Sequence, residues 1–111
     1  MIEIIEQNEE EAYFISVKGE VDASSSIHLD NAIRKGIDTE KNILVDLQAM
    51  EYISSAGLGV FISYLDEINN KNLKMVLFGL SEKVRQVFEI LGLLELLAVV
   101  DDKDKALETI Q

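Results

Sequence analysis

The chain contains no cysteine, no proline and a single histidine among its 111 residues. The absence of cysteine excludes disulfides and thiolate metal sites. His28 has no metal-ligand partner at helical spacing. Basic residues are also scarce, because ten lysines and arginines are set against 21 acidic residues and the net charge is −11. Such a surface repels phosphate backbones and anionic lipid heads, so we expect neither nucleic acid nor a membrane as a ligand.

Long hydrophobic runs are absent as well. The longest apolar block, Leu91 to Val100, is interrupted by Gly92 and Glu95 and is too short to span a bilayer. The first residues have no basic region, apolar stretch or small-residue cleavage site of the kind that directs export. We therefore expect a cytoplasmic, monomeric protein with one domain over residues 1–111, a length that suits one hydrophobic core.

Short β-like runs alternate with segments of helical periodicity. An opening hairpin followed by this alternation predicts an α/β layered domain. We expect a single mixed, mostly parallel sheet of four to five strands, joined by right-handed crossovers, with about four α-helices. The predicted strands are 2–7, 12–18, 42–47, 74–78 and 96–100. The predicted helices run from Ser24 or a neighbour to about Thr39, from Leu58 to Ile68, from Ser81 to Leu91, and from Asp101 or Asp102 to Ile110.

Three of these helices have apolar residues at helical spacing, which predicts the faces that they bury. The first face is Leu29, Ala32, Ile33 and Ile37. The second, with the strongest period in the chain, is Leu58, Phe61, Ile62, Leu65 and Ile68. The third is Val84, Val87, Phe88 and Leu91, followed by Gly92 as a left-handed stop.

Functional sites of open α/β sheets usually lie outside the carboxyl ends of the strands. Three loops should meet there: 19–26, 51–55 and 79–81. Signatures of enzymes are weak in them. Gly57-Leu58-Gly59 lacks the lysine of a P-loop, and the serine pair before it lacks the first glycine of a nucleophile elbow. We expect no cofactor and no metal, with a weak Mg²⁺ site at Asp22, Asp46 and Glu51 as the alternative.

The serine pair Ser54-Ser55 follows a predicted strand and begins the second helix. One of the two should cap that helix by accepting a hydrogen bond from a free N–H, a contact worth about 1 kcal/mol. Two glycines in or near a first helical turn cost up to about 1 kcal/mol each relative to alanine. Close approach of a partner's backbone to this bare surface is one reason for Gly57 and Gly59 to be present.

The segment Tyr52-Ile53-Ser54-Ser55-Ala56-Gly57-Leu58-Gly59 resembles the signature of the STAS domain family, whose small members are anti-sigma factor antagonists. Three further stretches are similar to that family in the same order. Gly19-Glu20-Val21-Asp22 resembles the turn before its first helix. Ile43-Leu44-Val45-Asp46-Leu47 resembles its central strand. Val84-Arg85-Gln86-Val87-Phe88 with Leu91-Gly92-Leu93 resembles its penultimate helix and stop.

The resemblance implies a STAS fold and a phosphorylation switch instead of an enzyme. A cognate serine kinase, which is also the anti-sigma factor, would phosphorylate Ser55, and the unphosphorylated chain would bind this kinase and free the sigma factor. A PP2C-type phosphatase would restore the chain. Ser54 stands where the family has aspartate, so Ser54 is the alternative acceptor. The implied partner-binding residues are Asp22, Ser54, Ser55, Ala56, Gly57, Leu58 and Gly59.

Two other interpretations remain at this point. In the first, the chain is a STAS scaffold or accessory subunit that binds a constitutive partner, and Ser55 is only a cap. In the second, the carboxylates of the rim serve a nucleotide-binding or hydrolytic domain. The absence of catalytic histidines and lysines from the motifs disfavours the second.

Overall fold

The acidic turn between the first two β-prone runs produces an antiparallel hairpin, and strands and helices then alternate. The computed structural model describes every residue from 1 to 111. The strands are β1 (Glu3–Asn8), β2 (Tyr13–Val21), β3 (Ile43–Asp46), β4 (Met50–Ile53), β5 (Met75–Phe78) and β6 (Ala98–Val100). The helices are α1 (Ser26–Asp38), α2 (Ser55–Ser63), α3 (Leu65–Asn70), α4 (Glu82–Ile90) and α5 (Lys103–Thr109).

All six strands belong to one sheet, in which β1 is the only antiparallel member. The main order is β1-β2-β3-β5-β6, and β4 pairs with β2 outside this path. Strand β2 is long enough to have two parallel neighbours on one side. Its residues 13–16 pair with β3, and its residues 19–21 pair with β4. The predicted mixed, mostly parallel sheet is confirmed.

Strand β4 was not predicted, because its residues were assigned to a loop before the serine pair. Only its two ends, Met50 and Ile53, are buried, whereas Glu51 and Tyr52 between them are exposed. A strand of four residues with two adjacent exposed side chains has no period-2 alternation. The sheet therefore has six strands instead of four or five.

The sheet is covered on both faces, as the apolar third strand predicted. On one face, helices α1 to α4 pack over a core that includes Ile15, Ile43 and Leu77. On the other face, Leu44 and Val76 belong to a smaller cluster that α5 covers through Ala106. The large core fixes the position of every helix on the side that carries the serine pair.

The predicted face of the first helix is confirmed, because Leu29, Ala32, Ile33 and Ile37 are all buried. The other two faces are partly wrong. In α2, Ile62 is 38% exposed, and in α4 Val87 and the following Leu91 are exposed while Val84 and Phe88 are buried. The α4 contact is therefore narrower than its apolar content suggests.

The long second helix of the prediction is two helices in the structure, and the total is five instead of about four. The break lies at Tyr64, which is both the C-cap of α2 and the N-cap of α3. A tertiary contact lies at the same residue, since the Tyr64 hydroxyl donates a hydrogen bond to the Asp30 carboxylate on α1. Sequence periodicity continues through such a break because the apolar residues Phe61 and Ile68 still face the core.

Two helix ends agree with the predicted caps. Gly92 has a φ of +73° after α4. The Leu93 N–H donates to the Phe88 carbonyl at 2.8 Å and the Gly92 N–H to the Glu89 carbonyl at 3.0 Å, which is the Schellman arrangement. At the start of α5, the Asp102 carboxylate accepts from the Lys105 N–H at 2.9 Å.

An ion pair joins α1 to α3 near the helix break. The Arg34 guanidinium donates two hydrogen bonds of 2.7 Å to the two carboxylate oxygens of Glu67. The central carbon of this guanidinium, Cζ, also lies 5.0 Å from the centre of the Tyr64 ring, a cation–π distance. The hydrogen bond from Arg34 is the main reason why the pKa of Glu67 lies below its usual value.

The lowered pKa gives this pair a defined pH dependence. Its contribution is fully present above the unfolded-state pKa of glutamate, about 4.3. It is lost as the pH falls through the lower pKa of the folded state. We expect Glu67→Gln to lower the free energy of unfolding at pH 7 and to make a smaller difference at pH 3, in urea titrations. Asp66→Asn, which breaks no ion pair, is the control, and an equal effect of Glu67→Gln at both pH values would contradict the prediction.

Candidate functional site

The candidate site forms where two parallel strands end side by side. Val21, the last residue of β2, pairs with Ile53, the last residue of β4. The ladder extends by one more hydrogen bond, from the Ser54 N–H to the Val21 carbonyl at 2.8 Å. Asp22 and Ser54 therefore leave the sheet together, and the predicted proximity of loops 19–26 and 51–55 is explained by β4, the strand that the sequence did not reveal.

The two serines of the motif have different environments. The Ser54 hydroxyl caps α2, because it accepts a hydrogen bond from the Gly57 N–H at 3.2 Å. Ser54 is half-buried, whereas Ser55 is exposed as the first residue of the helix. The first-turn N–H groups of Ser55 and Ala56 have no acceptor within the helix, as at any helix N-terminus. An exposed hydroxyl thus lies beside free N–H groups and the positive end of the helix dipole.

Asp22 shapes the neighbouring loop. Its carboxylate accepts hydrogen bonds from the Ser24 hydroxyl at 2.8 Å and from the Ser25 N–H at 2.9 Å. The Ser25 hydroxyl in turn accepts from the Asp22 N–H at 2.9 Å. This reciprocal pair has the geometry of a capping box. The hydrogen bond from Ser24 is the largest of the causes that lower the pKa of Asp22, so the side chain is an exposed, ionised carboxylate.

The cap of the first helix differs from the one predicted. Ser24 or a neighbour was expected to accept a first-turn hydrogen bond, yet the residue before α1, Ser25, makes no such side-chain bond. The Asp22 carboxylate instead accepts from the N–H of Ser25, just before the helix, and the Ser26 N–H donates to the Asp22 carbonyl at 3.0 Å. The helical turn therefore begins at the end of β2, next to Ser54.

The two glycines of the motif serve different purposes. A Cβ on Gly57 would lie 2.8 Å from side-chain carbons of both Val21 and Ile53, so only glycine lets α2 approach the paired strand ends. A Cβ on Gly59 would meet nothing within 4 Å. Gly57 and Leu58 are buried, so neither presents a surface to a partner. Internal packing, and not the approach of a partner's backbone, explains Gly57.

The acidic residues of the rim do not form a metal site. No group of three or more histidine, cysteine, aspartate or glutamate side chains is placed to hold a metal ion. Asp46 accepts a hydrogen bond from the Gln48 N–H at 2.9 Å in the turn after β3, and Asp22 serves its own loop. The alternative of a weak Mg²⁺ site at Asp22, Asp46 and Glu51 is therefore wrong.

The third loop of the predicted rim begins α4. Gly79 has a φ of +77° and lies against Gln48, close enough that a Cβ would be 2.4 Å from that side chain's Cγ. The Ser81 hydroxyl caps α4 by accepting from the Val84 N–H at 3.2 Å, as predicted. This start brings α4 beside β4, where residues of the two elements line a groove that the sequence did not reveal.

Comparison with known proteins gives the site a family context. Residues 3–106 match the family model described as the STAS domain. An anti-sigma-B factor antagonist of Listeria monocytogenes is 34% identical over 86 residues, which cover 77% of this chain and 75% of the relative. One from Staphylococcus aureus is 31% identical over 88 residues, 78% of this chain and 82% of the relative.

The fold has solved counterparts. The crystal structure of an anti-sigma factor antagonist from Mycobacterium paratuberculosis superposes with a TM-score of 0.89 at 20% identity, covering 99% of this chain and 94% of that one. The predicted STAS fold is confirmed. None of the five helices has the length and apolar content that a membrane crossing requires. The matches to the STAS family model and to the anti-sigma-B factor antagonists support a regulatory binding protein and not an enzyme.

The contrast between the two glycines can be tested by one substitution at each. We expect Gly57→Ala to lower the free energy of unfolding by about 1–3 kcal/mol, because the new methyl group overpacks the contact with Val21 and Ile53. Gly59→Ala should instead raise it by up to about 1 kcal/mol, because alanine is the better helix former and the space is open. Thermal or urea unfolding measures both, and equal effects of the two substitutions would contradict this interpretation.

Proposed function

The chain belongs to the STAS domain family, and from this premise we propose that it is an anti-sigma factor antagonist controlled by phosphorylation of Ser55. In this proposal the unphosphorylated chain binds, in the cytoplasm and as a monomer, a serine kinase that is also the anti-sigma factor. Phosphorylation ends the binding, and a PP2C-type phosphatase restores it. The relatives that are 34% and 31% identical are named anti-sigma-B factor antagonists.

The division of roles between the two serines carries the proposal. The Ser54 hydroxyl oxygen accepts the hydrogen bond of the Gly57 N–H, so transfer of the γ-phosphoryl group of ATP to this oxygen would disturb the helix cap. Ser55 is exposed, and its hydroxyl takes part in no hydrogen bond that stabilises the fold. Modification of Ser55 therefore requires no change in the protein's own contacts, which supports Ser55 over Ser54 as the acceptor.

The same geometry explains how a phosphate could act as a switch. A phosphoserine at the start of α2 would meet the free N–H groups of the first turn and the positive end of the dipole, so the helix need not unfold. The added charge of about −1.5 to −2 would instead be placed against any partner docked on this edge. A cost of about 3 kcal/mol in that interface weakens binding more than a hundredfold.

Asp22 is the second element of the proposed contact surface. Its carboxylate is exposed and ionised, and it is fixed by Ser24 and Ser25 at the edge shared with Ser54. A partner that approaches Ser55 would meet this charge as well. We propose that Asp22, Ser54, Ser55, Ala56 and Gly59 form the contact surface and that the buried Gly57 and Leu58 hold it in shape.

Adjacent substitutions separate the acceptor from the cap. After incubation with a candidate kinase from the same genome and ATP, we expect mass spectrometry to find phosphate on wild type and on Ser54→Ala but not on Ser55→Ala. Ser54→Ala should lower the free energy of unfolding by about 1 kcal/mol because the cap is lost, whereas Ser55→Ala should leave it nearly unchanged. Phosphorylation of Ser55→Ala to the wild-type extent would contradict the assignment.

Binding to the same kinase tests the switch itself. We expect Ser55→Asp to weaken binding at least tenfold, because one carboxylate supplies part of the charge of a phosphate, and Ser55→Ala to bind like wild type. Calorimetry on the purified proteins measures both affinities. Equal affinities for the two variants would favour the other interpretation, a STAS scaffold whose partner binds irrespective of phosphorylation. Backbone amide shifts that change only around α2 in the Ser55→Asp protein would show that no refolding is involved.

A further inference from the structure

A groove between β4 and α4 begins directly next to the candidate site. It has a volume of about 220 Å³ and is lined by Glu51, Tyr52, Ile53, Lys83, Val84 and Val87. Ile53 directly precedes the serine pair in the chain, so the groove and the Ser54–Ser55 edge are neighbours. Ile53 and Val84 are nearly fully buried and form its apolar floor, whereas Tyr52 and Val87 are 49% and 36% exposed at its sides.

The backbone of β4 has a free edge in this groove. Strand β4 pairs with β2 alone. The Ser54 N–H points toward β2, and successive residues of a strand direct their backbone groups to opposite edges. The N–H and carbonyl of Ile53 therefore point away from β2. A register shift between Gly19 and Glu20, opposite Glu51, keeps the regular edge short. Such an edge suits a brief extended segment and not a long strand.

Lys83 gives the groove its charge preference. The chain has 21 acidic residues against ten basic ones, yet none of its ion pairs includes Lys83. Glu51 is the other charged residue of the lining, so the groove favours an occupant that has a carboxylate beside the unpaired Lys83 ammonium, away from Glu51, and next to an apolar side chain. A second copy of this chain is disfavoured, because two chains with a net charge of −11 repel each other.

We propose that this groove binds a short extended segment of the protein partner, with an apolar side chain over Ile53 and Val84 and an acidic one beside Lys83. The inference rests on the proposed function for the identity of the partner. It adds that affinity comes largely from the groove, whereas the neighbouring Ser55 controls whether that affinity is available.

Two matched pairs of α4 variants test the groove against the kinase described above. Val87→Arg fills the groove, and Ile90→Arg makes the same change at a side chain that is 82% exposed and outside the lining. Lys83→Glu reverses the charge in the groove, and Arg85→Glu does so two residues along, on another side of the helix. We expect Val87→Arg and Lys83→Glu to weaken binding at least tenfold and both controls to stay within twofold of wild type.

Hydrogen exchange of the Ile53 amide provides a measurement that is independent of substitution. We expect this amide to exchange at least tenfold more slowly in the complex of the wild-type chain with the kinase than in the free chain. The groove proposal would be overturned if Val87→Arg and Lys83→Glu bind the kinase like their controls and the exchange rate of the Ile53 amide does not change. If Ser55→Asp still weakens binding in that case, the phosphorylation switch stands without it. The opposite outcome would be slowed exchange at Ile53 and a loss of binding only in the groove variants, while Ser55→Asp binds like wild type. It would support binding in the groove and contradict the phosphorylation switch.

Discussion

The parallel pairing of the ends of β2 and β4 is the constraint on which the site depends. One hydrogen bond past the ladder, from the Ser54 N–H to the Val21 carbonyl, sets the direction in which the chain leaves the sheet. Helix α2 can then start only if its first turn passes over Val21 and Ile53, and that contact admits no side chain at Gly57. The position of Ser55 is thus fixed by packing beneath it. A hydroxyl held in this way can be approached by a partner without prior ordering of a loop, which lowers the entropic cost of binding.

The fold was largely predictable because most elements have the period that their burial requires. The face of α1, the doubly buried β3 and the Gly92 stop follow from residue type and spacing alone. Strand β4 and the break at Tyr64 do not. Strand β4 depends on a long-range contact, its pairing with the end of β2, and the break at Tyr64 coincides with another, the hydrogen bond from Tyr64 to Asp30 on α1. Local periodicity contains no information about such contacts, so a loop and an uninterrupted helix were predicted in their place.

The site was predictable to a similar degree, and for similar reasons. A motif directed attention to the turn between β4 and α2, and the preference of serine for helix caps required one of the pair to be used structurally. The geometry at Gly57 decides which of the two serines is the cap, and it also decides what Gly57 itself is needed for. The sequence suggested that both glycines keep the surface open to a partner. The structure instead divides them, since Gly57 is needed within the protein whereas Gly59 faces open space.

The capping role of Ser54 also bears on the aspartate that the STAS family has at this place. Aspartate and serine are comparable N-caps, so the exchange preserves the start of α2 while it removes a full negative charge from the residue next to Ser55. An anionic cap would partly satisfy the helix dipole before any modification. With a neutral cap, a phosphate on Ser55 would be the first full charge in the first turn of α2 itself, and the unmodified and modified states would differ more in local potential. Substitution of aspartate by serine should therefore sharpen an electrostatic switch at this turn without changing the fold that presents it.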